Sequence, residues 1–215
     1  GQVCFLYFHL MGEPLLHPLL PRFIMMAREK GFKTVLTSNG TLLHRVMGLL
    51  DTLPHKIQLS LHSHESNARG ELSDYMDEVM RFSIQAAERG TCVVLRLWNQ
   101  GGRDQENQQV MQLIEKYVPK PWKERSDGYR LCDNVYLEFD RKFEWPTSCE
   151  NKENKKDTEK RELFCKALLK QIGVLVDGSL VPCCLDHDGD VVLGNLFLQS
   201  LEDILSSSRA QAMIR

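Results

Sequence analysis

Apolar and polar positions follow two alternating rhythms over the first 140 residues: short strand-like runs and longer stretches of helical period. Val3–His9 is an apolar run with β-branched and aromatic residues, which predicts a buried strand. Leu20, Phe23, Ile24 and Ala27 repeat at i, i+3, i+4 and i+7, so a helix is expected near Leu19–Lys30, closed by Gly31 as a left-handed cap. Further strands are expected at Thr34–Thr37, ended by Ser38-Asn39-Gly40, and at Ile57–His62, Cys92–Trp98 and Val135–Phe139. Helices fall between them near Leu42–Leu50, from a cap at Ser73 to Gly90, and over Gln105–Val118, where Pro119 and Pro121 stop the pattern. About five β-α repeats at roughly 25–40 residue spacing imply a parallel sheet with right-handed crossovers. A doubly wound sheet and a partial barrel both fit this rhythm.

The rhythm stops at Thr147–Arg161. Asn151–Lys160 holds no apolar residue and reads as a solvated linker between residues 1–146 and 162–215. Beyond it the apolar run Gly173–Pro182, interrupted by Asp177-Gly178, predicts a hairpin with its turn at that pair. Cys183 and Cys184 follow. A last short helix is expected from Ser200, with Asp203 completing a capping box, through Leu201, Ile204 and Leu205.

Composition narrows the function classes. At 215 residues and 42% apolar content the chain can bury a sizeable core. A net charge of −2 commits no face to nucleic acid or an acidic membrane. No run of about 18 apolar residues is present, so no membrane span is expected. The first residues lack the basic segment of a signal peptide, which predicts a cytoplasmic protein. Seven cysteines, an odd number with two adjacent, fit free thiols or metal ligands better than a disulfide framework. Cys4 and Cys92 lie in apolar runs and read as inert core thiols.

Two constellations carry chemistry. The first is Gly12-Glu13-Pro14, directly after the first strand. Gly permits a close backbone approach, and Pro leaves preceding carbonyls without a helical donor. The Glu is then a carboxylate at the carboxyl end of a parallel strand, where α/β folds place ligands; a carboxylate and free carbonyls suit a cationic amine. The same tripeptide also serves as an ordinary strand-to-helix turn with an acid at its start. The second is Cys165 followed, after twelve residues, by Gly178 and, after four more, by Cys183. A hairpin there returns Cys183 toward the Cys165 segment, and thiolates suit zinc or an iron–sulfur cluster.

Both constellations resemble parts of radical S-adenosylmethionine (SAM) enzymes. The stretch ending in Gly12-Glu13-Pro14 is similar to the family's Gly-Gly-Glu-Pro motif, with Met11 in place of the first Gly. The tail resembles the SPASM/twitch extension. It shares the C-x9-15-G-x4-C opening, and Val192–Leu196 with Ser200–Leu205 look like that extension's close. The extension's second cysteine cluster is absent from these residues.

The resemblance implies an α/β fold: a partial (β/α)6 TIM-like barrel lacking its first β-α unit, then a small cysteine-containing β-hairpin/helix extension. It implies that Glu13, with Gly12 and Pro14, binds the SAM amino group, and that Ser38, Asn39 and Ser60 line SAM. His62 ends the same strand as Ser60. Arg96, near Asn99 at the next strand's end, is implied as a carboxylate partner. It implies a [4Fe–4S] cluster on Cys165 and Cys183, with Cys149 or an exogenous group as a further ligand and Cys184 a ligand, a packing residue or free.

The expected function is a radical SAM oxidoreductase acting on a small molecule or peptide, reduced by a partner such as flavodoxin or ferredoxin. The C-x3-C-x2-C loop needed to cleave SAM is not in these residues, and is expected upstream of Gly1. This polypeptide alone is therefore expected to be inactive. A non-catalytic iron–sulfur or zinc-binding α/β module, and an α/β binding domain with free thiols, are the alternatives.

Overall fold

The computed structural model describes residues 4–44, 51–67, 70–102, 104–141 and 167–214. The chain forms two compact units, Gly1–Phe143 and Glu144–Arg215.

The first unit is a mixed α/β layer. Its strands are β1 (Phe5–Phe8), β2 (Lys33–Ser38), β3 (Lys56–Ser60), β4 (Cys92–Gln100), β5 (Lys123–Arg125), β6 (Gly128–Cys132) and β7 (Val135–Arg141). They form one seven-stranded sheet in the order β1-β2-β3-β4-β7-β6-β5. β1, β2, β3, β4 and β7 run parallel, and β6 and β5 fold back antiparallel at one edge. The parallel strands follow one another without the order reversal that a doubly wound sheet requires, so that alternative is not what the chain adopts. The helices are α1 (Leu20–Glu29), the short α2 (His64–Asn67), α3 (Leu72–Glu88) and α4 (Asn107–Tyr117).

Strand parity separates the two faces. Leu36, Ile57, Leu59, Val93, Leu95, Leu97, Val135 and Leu137 share one face, and the register brings them side by side. They pack in one cluster with Leu20 and Ile24 of α1, Met76, Val79 and Met80 of α3, and Val110 and Ile114 of α4. Each such fully buried aliphatic side chain contributes about 1.5–3 kcal/mol. The alternate positions carry Tyr7, Thr37, Gln58, Ser60, Arg96, Trp98, Tyr136 and Glu138. This more polar face also carries the buried Val35 and Val94, and Ser60 and Arg96 lie on it.

Several expectations change. β1 is an edge strand, not a buried one: Phe5, Leu6 and Tyr7 are 47%, 38% and 56% exposed, because β2 covers only one side of it. Cys4, just before β1, is exposed for the same reason, while Cys92 is half-buried. The cap of α3 is Glu71 rather than Ser73, which falls inside the first turn. The β5–β6 hairpin was not expected, since Lys123–Arg125 is all charged and has no apolar alternation. Of the helix expected near Leu42–Leu50, residues 45–50 lie outside the described residues, as does the linker. Helix α1 ends as expected at Gly31, whose N–H and that of Phe32 close on Arg28 and Ala27 carbonyls.

The second unit holds β8 (Gly173–Val174), β9 (Ser179–Val181), β10 (Gly194–Asn195), α5 (Leu201–Ser206) and α6 (Ser208–Ile214). β8 and β9 form the expected antiparallel hairpin, with β10 on its other side. Asp177 accepts from the Ser179 N–H and hydroxyl, both at 3.0 Å, which fixes the turn and lowers the carboxyl pKa. Gly178 sits at φ +83°, and a Cβ there would lie 2.7 Å from Phe197 Cδ2. Asn195 ties the close to this turn by donating to the Asp177 carbonyl at 2.9 Å. Ser200 caps α5 as expected, its hydroxyl accepting from Asp203 N–H at 3.1 Å and donating to the Asp203 carboxylate at 2.6 Å.

Candidate functional site

Glu13 follows β1 and caps a single 3₁₀ turn, Pro14–Leu16. One carboxylate oxygen accepts from Leu15 N–H at 3.0 Å, the bond of an ordinary N-cap. The other accepts from Asn39 N–H at 2.8 Å, at the end of β2. The half-buried carboxylate thus bridges the carboxyl ends of two parallel strands. Its own carbonyl is not free, as expected for a cationic ligand, but accepts from Leu16 N–H at 3.1 Å. The Glu13 carboxylate, with two hydrogen-bonded oxygens and acceptor positions left over, is the group this turn presents. Gly12 (φ +80°) and Pro14 shape the turn around it.

The Ser38-Asn39-Gly40 turn is held from within. Ser38 is buried on the helix-covered face, and its hydroxyl accepts from Gly40 N–H at 3.0 Å. Asn39 Oδ1 accepts from Thr41 N–H at 2.9 Å and from Thr41 hydroxyl at 2.7 Å. The Ser38 hydroxyl and the Asn39 Oδ1 are thus used within the turn, while Ser60 lies on the polar face, in register with Arg96.

Arg96 lies on that face with its guanidinium carbon 3.9 Å from the Trp98 ring centroid. Burial lowers its pKa to about 10, so it stays charged at neutral pH, with Glu138 acting in the opposite direction. Among the described residues its Nε is buried and has no hydrogen-bond partner; the same holds for Trp98 Nε1 and His9 Nδ1. His62, in the turn after β3, has Nδ1 at 3.2 Å from the Arg96 carbonyl and 3.3 Å from Trp98 N–H. Burial and then the Arg96 charge lower the pKa of His9. Burial also lowers that of His62. Asn99, by contrast, is buried and exchanges two hydrogen bonds with Asn107.

The structure thus brings Glu13 and Asn39 together, and sets Ser60 beside Arg96. Sequence reasoning missed His9 and Trp98. The signal was parity: Trp98 stands two residues beyond Arg96, and His9 two beyond Tyr7. Two surface clefts among the described residues, one lined by Lys33, His55 and Thr91 and one by Cys132–Asn134, lie at the strands' amino ends, away from these groups.

In the second unit Cys183 is buried and Cys184 half-buried directly after β9. Burial, then the neighbouring Cys183, raises the Cys184 pKa, which disfavours a free thiolate there. Cys149 and Cys165 lie outside the described residues. Among the described residues no three His, Cys, Asp or Glu side chains converge as a metal site. Two thiols beside a hairpin are soft donors of the kind that iron and zinc take.

Comparison with known proteins adds one match in sequence. Residues 165–215 match the SPASM family, described as an iron–sulfur cluster-binding domain. The match begins at Cys165 and covers the hairpin, Cys183, the Gly194-Asn195 close and both last helices. It bears out the SPASM resemblance of the tail. No curated protein matches. Among solved structures, the chain is similar to TYW1 with a lysine-pyruvate adduct bound (23% identity, 43% of this chain and 31% of that one, TM-score 0.32). It is similar to an archaeal TYW1 (22% identity, 53% and 37%, TM-score 0.35). It is also similar to BtrN in complex with AdoMet and 2-DOIA (15% identity, 97% and 64%, TM-score 0.48). The chain thus spans less than two thirds of the length of each.

Proposed function

We propose that this chain is part of a radical SAM oxidoreductase, with a SAM site on the first unit and an iron–sulfur cluster on the second. The observation that carries the reading is the Glu13 carboxylate, bridged to Leu15 and Asn39 N–H groups at the carboxyl ends of β1 and β2. An ionised carboxylate has about four acceptor positions, and two remain for a cationic amine. Asn39 fixes the carboxylate's direction, and Ser60 lies farther along the same end of the sheet.

Arg96 supports the second half of the SAM site. Its half-buried guanidinium has no acidic hydrogen-bond partner among the described residues, so a ligand carboxylate would relieve an existing desolvation cost. An amine at Glu13 and a carboxylate at Arg96 would together recognise an amino-acid moiety. A cluster on a C-x3-C-x2-C loop, when bound, supplies the electron that cleaves SAM to the 5′-deoxyadenosyl radical. On this reading the sheet is the main part of a partial barrel. The free edge of β1, with exposed Phe5, Leu6 and Tyr7, is where a further β-α unit would pair. In the tail, Cys165 and Cys183 would hold the auxiliary cluster, with Cys149 or Cys184 as further donors. The substrate is a small molecule or peptide, and a flavodoxin- or ferredoxin-like protein is the reductant.

The test is titration of the full-length, anaerobically reconstituted protein with SAM. Glu13→Gln should weaken binding at least about tenfold, the scale of one charged hydrogen bond. Unchanged affinity in a folded Glu13→Gln variant overturns the reading.

A further inference from the structure

We propose that Tyr75 is a positioning residue for the Glu13 amine site, holding the backbone of Asn39 through its carbonyl, while the N–H of the same residue aims the Glu13 carboxylate. This inference rests on the reading of Glu13 just given. Tyr75 lies in the first turn of α3 and is 9% exposed. Its hydroxyl donates to the Asn39 carbonyl at 2.8 Å, while Asn39 N–H donates to Glu13 at 2.8 Å. The backbone of one residue is thus gripped from both sides, by the group that would meet the ligand and by a side chain from the helix layer.

The local sequence makes room for this grip. Gly40, at φ +76°, would carry a Cβ 3.1 Å from the Tyr75 hydroxyl and 3.3 Å from Val79 Cγ2. A side chain here would be strained at this φ and would need Tyr75 or Val79 to give by a few tenths of an ångström. Burial, then the charges of Glu13 and Glu78, raises the phenol pKa, so the hydroxyl keeps its proton and acts as a donor.

The Tyr75 ring is itself backed. His64, 7% exposed, lies with its ring centroid 5.0 Å from that of Tyr75 at 31°. His64 Nδ1 is 2.8 Å from the Glu106 carboxylate, and Glu106 N–H donates to Glu65 at 2.7 Å. His64 Nε2 is buried without a partner among the described residues, while Nδ1 carries the hydrogen that faces the Glu106 carboxylate. Four segments thus converge behind Glu13: the turns after β1 and β2, the start of α3, and the α2 turn pinned to the start of α4.

The experiment compares SAM with 5′-methylthioadenosine, which keeps the nucleoside and lacks the amino-acid moiety, on the full-length reconstituted protein. Tyr75→Phe removes one hydrogen bond and keeps the ring. It should weaken SAM about three- to tenfold and leave methylthioadenosine within about twofold. Hydrogen exchange at the Asn39 amide should quicken in the same variant. A purely structural role for Tyr75 would shift both ligands alike. Equal shifts, or no shift with unchanged Asn39 exchange, overturn the proposal. Glu13→Gln is the control arm. If it weakens SAM and Tyr75→Phe does not, only the positioning role fails. If it leaves SAM affinity unchanged, the amine site itself fails, and the role of Tyr75 with it.

Discussion

Glu13 commits one carboxylate oxygen to its own turn and the other to a residue 26 positions away. A local N-cap needs only the first bond, and the second is the feature a strand-to-helix turn does not require. The tripeptide was legible in sequence; its tie to Asn39 was not, because that depends on the parallel register of β1 and β2. The same limit hid His9 and Trp98, since neither stands within a motif and only strand parity places them on the polar face. His9 and His62 yield a prediction at this scale. Burial lowers both imidazole pKa values below the ordinary 6.5. As pH falls, the unfolded chain takes up their protons first. Their contribution to stability is therefore full above about pH 6.5 and declines below it. Melting should occur at lower temperature at about pH 5.5 than at about pH 7.5. The His9→Gln/His62→Gln double variant should flatten that difference; an unchanged difference would rule this out.

At the scale of elements, apolar period was enough to place α1, α3, α4 and the parallel strands within a few residues. It failed where burial is decided by neighbours. Val3–His9 looks like a core strand by composition, yet its exposure follows from its place at the sheet edge. β5, all charged, exists because β6 pairs with it. Leu95 stands at the centre, 0% exposed on β4 between β3 and β7. Leu95→Ala should cost about 2–5 kcal/mol in denaturant unfolding. A loss under about 1 kcal/mol would show that this strand does not anchor the core. In the tail, Gly178→Ala puts a Cβ 2.7 Å from Phe197 Cδ2 and 2.9 Å from Asn195 Oδ1, at a left-handed φ. That should cost about 1–3 kcal/mol and lower the iron content of the purified protein, as judged by colorimetric iron assay. Unchanged iron and melting temperature would separate the turn from the metal site.

At the scale of the whole molecule, the two units divide the chemistry. The first presents a carboxylate at the carboxyl ends of β1 and β2 and an underpartnered guanidinium on the polar face of β4, and the second two thiols beside a hairpin that matches an iron–sulfur cluster-binding domain. Among the described residues no helix is long and apolar enough to cross a membrane. The tail was legible through its resemblance in cysteine–glycine spacing and close, and its hairpin turn and capping box were legible because local contacts fix them, whereas the tie of Asn195 to Asp177 depends on the fold. Iron analysis separates the readings: about eight irons per full-length chain, with broad absorption near 400 nm, fits two clusters, whereas zinc in a colourless protein fits a non-catalytic module. Radical SAM chemistry would be read most directly by incubating the anaerobically reconstituted protein, expressed from its complete reading frame, with SAM and dithionite. 5′-Deoxyadenosine should be released, and its release lost in Glu13→Gln. A protein that holds its clusters and leaves SAM intact would contradict that chemistry.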